Sequence, residues 1–138
     1  MLFALVSCRK SEVNTKNLGK HGRWNVTIMD IGANSVASLP TLHFDESLDP
    51  EVFTKGSWTH DDNSSAGFKW RFNYFAGSFS ILIDANIEQD PATKAFIQCT
   101  NLSGEYSIIT EKSKLFEFES ISSEGYGAIP VFIRIVPA

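Results

Sequence analysis

The sequence predicts an all-β domain, built as a small antiparallel up-and-down barrel of about eight to nine strands. Apolar and polar residues alternate with a period of two in several segments, turn residues separate these segments, and signals for helices are sparse. The 138 residues suffice for one domain with a substantial core. A β-sandwich is the alternative architecture that the same pattern allows.

Composition and charge narrow the class of protein further. The chain is 43% hydrophobic and 20% charged, which is typical of a globular domain and not of a disordered one. Twelve basic and sixteen acidic residues give a net charge of −4, which argues against a strongly basic nucleic-acid binder. The sequence has no apolar run of about 18 residues, so it predicts no membrane-spanning helix.

The first eight residues predict the end of a secretory signal peptide. They are apolar except for Ser7 and Cys8, and Arg9 and Lys10 follow at once. Because this apolar stretch is short and lacks a basic start, we expect Met1 to be internal and the signal to begin upstream. A frayed apolar terminus with a buried cysteine is the alternative.

The segment Leu5-Val6-Ser7-Cys8 resembles the lipobox of bacterial lipoproteins. The resemblance implies that the Cys8 thiol is lipidated and that the body is attached to a membrane by this anchor. Arg9, in place of Asp, implies the outer membrane of a Gram-negative cell envelope, with the body on either the periplasmic or the surface face.

Cys99 lies far along the chain in a strand-like run, where we expect a small buried side chain. A Cys8–Cys99 disulfide is the alternative in an oxidising compartment.

Residues 9–21 are polar and lack periodicity, which predicts a flexible tether, and residues 22–138 then form the single β domain. Strong strand candidates are 24–31, 68–75, 79–84, 104–110, 114–120 and 128–136, and weaker ones are 36–44, 52–60 and 95–100. Within 45–55 the sequence favours at most one or two helical turns.

Aromatic residues dominate the faces that the alternation turns inward. These side chains either fill the barrel or line an apolar pocket for a small ligand. Trp58 differs from the other aromatics because it lies close to residues that predict a loop. It is either an exposed binding anchor at the rim or a plug at one barrel end. The candidate ligand-binding residues are therefore Trp58, Phe68, Trp70, Phe72, Phe79, Tyr106, Phe116 and Phe118.

Gly22 and Trp24 form a Gly-x-Trp motif that resembles the opening of the lipocalins and of lipocalin-like lipoproteins of Gram-negative bacteria. Residues 103–106 and 114–118 resemble their late hairpin. The resemblance implies a barrel that Trp24 closes at one end, with Arg134 stacked across the indole. The alternative is an ordinary core tryptophan and an exposed arginine. The chain is shorter than a typical lipocalin and shows no C-terminal helix.

No motif or group of residues in the sequence predicts catalysis, a metal site or a cofactor. His21, His43 and His60 are scattered without zinc-ligand spacing, and we expect them in loops or on the surface. The sequence has no nucleophile elbow, P-loop or dinucleotide fingerprint. We therefore expect a protein without enzymatic activity.

Two functions remain open from the sequence. The first is binding of a small apolar or amphipathic ligand inside the barrel. The second is a plugged barrel that acts as a scaffold or interaction module for an envelope protein partner, through loops such as 45–65 and 86–94.

Overall fold

The structure, a computed structural model, describes residues 18–46, 52–73 and 77–138. After a helical turn at 18–21 come β1 (Arg23–Ile31), β2 (Asn34–Ser35), β3 (Thr41–Phe44), β4 (Thr54–Thr59), β5 (Ser65–Asn73), β6 (Ser78–Ile83), α1 (Lys94–Asn101), β7 (Gly104–Lys112), β8 (Leu115–Ser123) and β9 (Val131–Pro137). The predicted signal segment 1–8, with Cys8, and residues 9–17 of the predicted tether lie outside the described residues.

The strands form one closed antiparallel barrel. The strand order is β2-β1-β3-β4-β5-β6-β7-β8-β9, and pairing of β1 with β9 closes the sheet. Eight strands make the wall, and the short β2 forms a hairpin with β1. This confirms the predicted small antiparallel barrel over the sandwich. Closure pairs the edges that an open sheet would expose.

The two barrel ends differ in what covers them. One end carries the connections at 32–40, 60–64, 84–103 and 124–130; because the third of these contains α1, we call it the helix end. The other end carries the helical turn at 18–21, the turn at 113–114 and the carboxyl end of β9; we call it the N-terminal end.

A β-bulge in β1 changes which side chains face inward. The register against β9 shifts between Val26 and Ile28, so that Met29 is buried in the core and Ile28 is only partly buried. Strict alternation from Trp24 and Val26 through the predicted strand 24–31 would place Ile28 inside and Met29 outside. One extra residue in a strand reverses every face that follows it, which explains the error.

The segment 95–100 is helical, so the weak strand predicted there is wrong. The hydroxyl of Thr93 accepts a hydrogen bond from the backbone N–H of Phe96 and caps the start of α1. Ala95 and Cys99, one helical turn apart, are the buried residues of α1 and face the barrel. Burial of this face against the barrel outweighs the β-branched and aromatic composition.

Two further segments depart from the prediction. Ile129, expected inside the last strand, lies in the connection before β9 and is 53% exposed. The helical turns expected within 45–55 fall partly on residues outside the described ranges, and Thr54 and Lys55 belong to β4.

Candidate functional site

Gly22 and Trp24 lie at the N-terminal end of the barrel. Gly22 has a left-handed backbone (φ 71°), and its N–H donates to the carbonyl of Leu18, which ends the helical turn before β1. The indole N–H of the buried Trp24 donates to the same carbonyl over 3.0 Å. The ring of His21 packs edge-on against the indole.

Arg134 does not stack on Trp24. It pairs with Ile28 in the β1–β9 ladder, whereas Trp24 pairs with Pro137. The Arg134 side chain lies outside the barrel, where its Nε donates to a carboxylate oxygen of Glu117 over 2.7 Å. Hydrogen bonds from the Thr110 and Arg134 side chains hold the pKa of Glu117 below its ordinary value.

The other candidate ligand-binding aromatics come together inside the barrel and are all at most 3% exposed. Phe79 lies at the centre of the cluster. Its ring centroid is 4.9–6.4 Å from those of Phe44, Trp70, Phe72, Phe116 and Phe118. Such tilted and edge-to-face contacts between rings are typical of a packed protein core. Phe44, in a weak strand candidate, was not among the residues selected from the sequence.

Trp58 is the barrel-end plug, not an exposed rim anchor. Its side chain is fully buried, and its indole N–H donates to the side-chain carbonyl oxygen of Gln98 over 2.9 Å. Because α1 lies across the helix end, it covers a tryptophan that would otherwise sit at the rim.

Gln98, on α1, is hydrogen-bonded to residues of three other segments. Its Oε1 also lies 2.6 Å from Nε2 of His60, and its Nε2 donates to the carbonyl of Ser38 over 3.1 Å. Because an amide oxygen only accepts, Nε2 of His60 carries the proton. His60 begins the connection 60–64, as expected for a loop histidine, but its side chain is buried and does not lie on the surface. No local sequence signal predicts this network, because the residue types of 95–100 favour a strand.

Two side chains that could act as nucleophiles, Cys99 on α1 and Tyr106 on β7, are buried. Cys99 is a free, fully buried thiol, as predicted, and burial raises its pKa to about 12. Burial also raises the pKa of Tyr106, whose hydroxyl donates to the carbonyl of Leu102. Neither side chain therefore ionises near neutral pH.

A polar depression of about 500 Å³ lies on the outer face of β1, β3 and β4. Cross-strand pairing places Arg23, His43 and Ser57 in one row and Thr41 beside Thr59 in the next. Leu39, His60, Asp61 and Asn63 complete its lining. In the described part of the chain, no three His, Cys, Asp or Glu residues are grouped as metal ligands.

A second depression of about 400 Å³ runs along the outer face of α1. We call it the α1 groove. Its lining residues are Ala92, Lys94, Ile97, Gln98, Asn101 and Tyr126.

Fold and surface together define a small closed antiparallel β-barrel whose described aromatic side chains pack against one another inside it. Among residues 18–46, 52–73 and 77–138, no helix is both long and apolar enough to cross a membrane. Comparison with protein-family models, curated proteins and solved structures finds no match for this chain.

Proposed function

We propose that this protein is a non-enzymatic, membrane-tethered barrel that acts through its outer surface as an interaction module. The observation that carries the proposal is the packed interior. The aromatic side chains that would line a ligand pocket instead contact one another, and the central Phe79 has rings on several sides. This favours the interaction module over carriage of a ligand in the barrel.

Both barrel ends support the same proposal. Trp24 is buried at the N-terminal end, and Trp58 lies beneath α1 at the helix end. Entry of a ligand past either tryptophan would displace a buried ring or break the Gln98 hydrogen bonds. Truncating one such ring to alanine typically costs about 3–5 kcal/mol, which indicates how much packing a ligand would have to replace. The two described depressions lie outside the barrel wall.

The tether is proposed from the lipobox-like segment that ends at Cys8. Lipid anchoring is stable when several acyl chains act together, as the lipoprotein resemblance implies. Residues 9–17 span at most about 30 Å when fully extended. Leu18, the first residue that the structure describes, lies at the N-terminal end, so we place this end towards the proposed outer membrane and the helix end away from it.

Two measurements test this function, both on the full chain expressed behind a lipoprotein leader in a Gram-negative host. The first is metabolic labelling with radioactive palmitate. We expect label in the wild type and in Cys99→Ser, and none in Cys8→Ser. Label retained by Cys8→Ser would overturn the anchor.

The second measurement is native mass spectrometry after gentle detergent extraction. We expect the mass of the acylated chain alone, unchanged after incubation with envelope lipid extract. A bound species of a few hundred daltons that leaves on denaturation would overturn the filled-barrel module and restore the carrier function.

A further inference from the structure

The α1 groove presents apolar surface that the fold leaves uncovered. Ile97 is 50% exposed in the groove, and the partly buried Tyr126 forms part of its wall. Ile129, whose N–H donates to the carbonyl of Tyr126, is 53% exposed beside it. Large aliphatic side chains are normally buried, so an exposed group of them indicates a contact surface.

The exposed aliphatic residues are concentrated towards the helix end. Val52 precedes β4 and Ile109 lies within β7, so these two are exceptions. The other large hydrophobic residues that are exposed in the described chain lie in the connections of the helix end or in the last three residues of strands that lead to it: Leu82, Ile87, Ile97, Ile121 and Ile129.

The charge at the helix end is strongly acidic. Asp84 is buried and lies 3.8 Å from Lys69, so its charge is compensated. The exposed lysine of these connections, Lys94, lies within Coulombic reach of Asp62. Five exposed carboxylates oppose this single ammonium group in the connections, which leaves a net charge of −4; they belong to Asp61, Asp62, Glu88, Asp90 and Glu124.

Hydrogen bonds to neighbouring segments position both walls of the α1 groove. The backbone N–H of Ala95 donates to the hydroxyl of Ser64, and Gln98 fixes the middle of α1 to β4. The N–H of Glu124 donates to the carbonyl of Ser103, and the N–H of Gly125 donates to the carbonyl of Asn101. These two hydrogen bonds hold the segment that contains Tyr126, the opposite wall of the groove, next to α1. A preformed groove loses little conformational entropy when it binds a partner.

We propose that the α1 groove docks a basic, amphipathic segment of another protein. Apolar side chains of the segment would pack on Ile97 and Tyr126, and its cationic side chains would lie towards Glu124 and the neighbouring carboxylates. Charge complementarity selects this partner. The same charge repels an anionic lipid surface and a second copy of this helix end. The inference rests on the proposed function, because it names the chemistry of the partner that the module would bind.

The test is an NMR titration of the ¹⁵N-labelled full chain with the basic amphipathic peptide (Lys-Leu-Ala-Lys-Leu-Ala-Lys)2. We expect amide shifts that cluster at the α1 groove and saturate with a Kd of about 10–500 µM. Ile97→Ser should weaken binding about tenfold. Glu124→Lys should weaken it about fivefold and reduce its salt dependence.

Matched controls distinguish peptide binding at the α1 groove from nonspecific binding to the protein surface. Ile109→Ser removes an equally exposed isoleucine from β7, and Glu119→Lys reverses an exposed charge on β8; both should bind like the wild type. The charge-reversed peptide (Glu-Leu-Ala-Glu-Leu-Ala-Glu)2 should not bind. Absence of binding at millimolar peptide, shifts scattered over the barrel wall, or equal losses in the control variants would overturn the docking site.

The outcomes also distinguish this inference from the proposed function. If the titration fails while palmitate labelling and the ligand-free mass are as expected, the docking site is wrong and the tethered module stands. If a ligand appears in the native mass spectrum, the module itself is wrong.

Discussion

Trp58 and Gln98 join the barrel wall to the helix that covers it. The indole N–H on β4 donates over 2.9 Å to the amide oxygen on α1, an oxygen that also lies 2.6 Å from Nε2 of His60. One side chain thus satisfies two buried donors at the point where β4 leaves the wall.

Replacing Gln98 with leucine should destabilise the fold by about 2–4 kcal/mol, because the indole of Trp58 and the imidazole of His60 each lose their acceptor while buried. Urea unfolding followed by tryptophan fluorescence measures the change. Ile97→Ala, on the exposed face of the same helix, serves as control and should stay within about 1 kcal/mol of wild type. A loss below about 0.5 kcal/mol for Gln98→Leu would show that water replaces the amide.

Phe79→Ala should cost about 3–5 kcal/mol, because it removes the ring at the centre of the aromatic cluster and leaves a cavity. If that variant does not fold, Phe79→Leu provides the milder case, with a loss of about 1–2 kcal/mol. Benzene should raise the melting temperature of a folded Phe79 variant and leave that of wild type unchanged. A clear benzene effect on wild type would mean that its interior already holds accessible apolar space.

Glu117 should make stability depend on pH in the acidic range. Because hydrogen bonds from Thr110 and Arg134 lower the pKa of this carboxyl in the folded state, its contribution is fully present above the unfolded-state pKa of about 4.3. That contribution is lost as the pH falls through the lower folded-state pKa. Urea midpoints for Glu117→Gln and wild type should differ at neutral pH and converge as the pH falls below the lowered folded-state pKa.

Glu119→Gln is the control for this comparison, since Glu119 is an exposed carboxylate on the same strand. Its urea midpoint should follow that of wild type across the whole range. A constant gap between Glu117→Gln and wild type down to the lowest pH would rule out ionisation as the source of the effect.

Cys99 should resist modification in the folded protein, because thiolate is the reactive form and burial raises the thiol pKa to about 12. In a Cys8→Ser background, Ellman's reagent should find almost no reactive thiol at pH 8 and one per chain in denaturant. Rapid labelling without denaturant would mean that α1 opens frequently from the barrel.

The sequence predicts the barrel well in strands where aromatic residues occupy one face and polar residues the other. In β5 and β6, Phe68, Trp70, Phe72 and Phe79 alternate with polar residues, and all four face inward. The prediction fails at Ile28, because a bulge shifts the alternation without any marker in the local residue types.

The helix end could not be predicted because its character depends on tertiary packing. The run that forms α1 contains phenylalanine, isoleucine and threonine, which favour strands, and only burial of Ala95 and Cys99 against the barrel selects the helix. Without α1, the sequence cannot show that Trp58 is covered, that His60 is buried or that Gln98 has partners.

The pairing of β1 with β9 also constrains how the chain folds. Trp24 pairs with Pro137, so the ring of strands cannot close before nearly the whole chain is available. Contacts between residues so distant in sequence form late, and they make folding slow. Until they form, β1 and β9 are open edges on which other chains can add. Loss of the last strand alone would therefore turn a self-contained barrel into a sheet prone to aggregation.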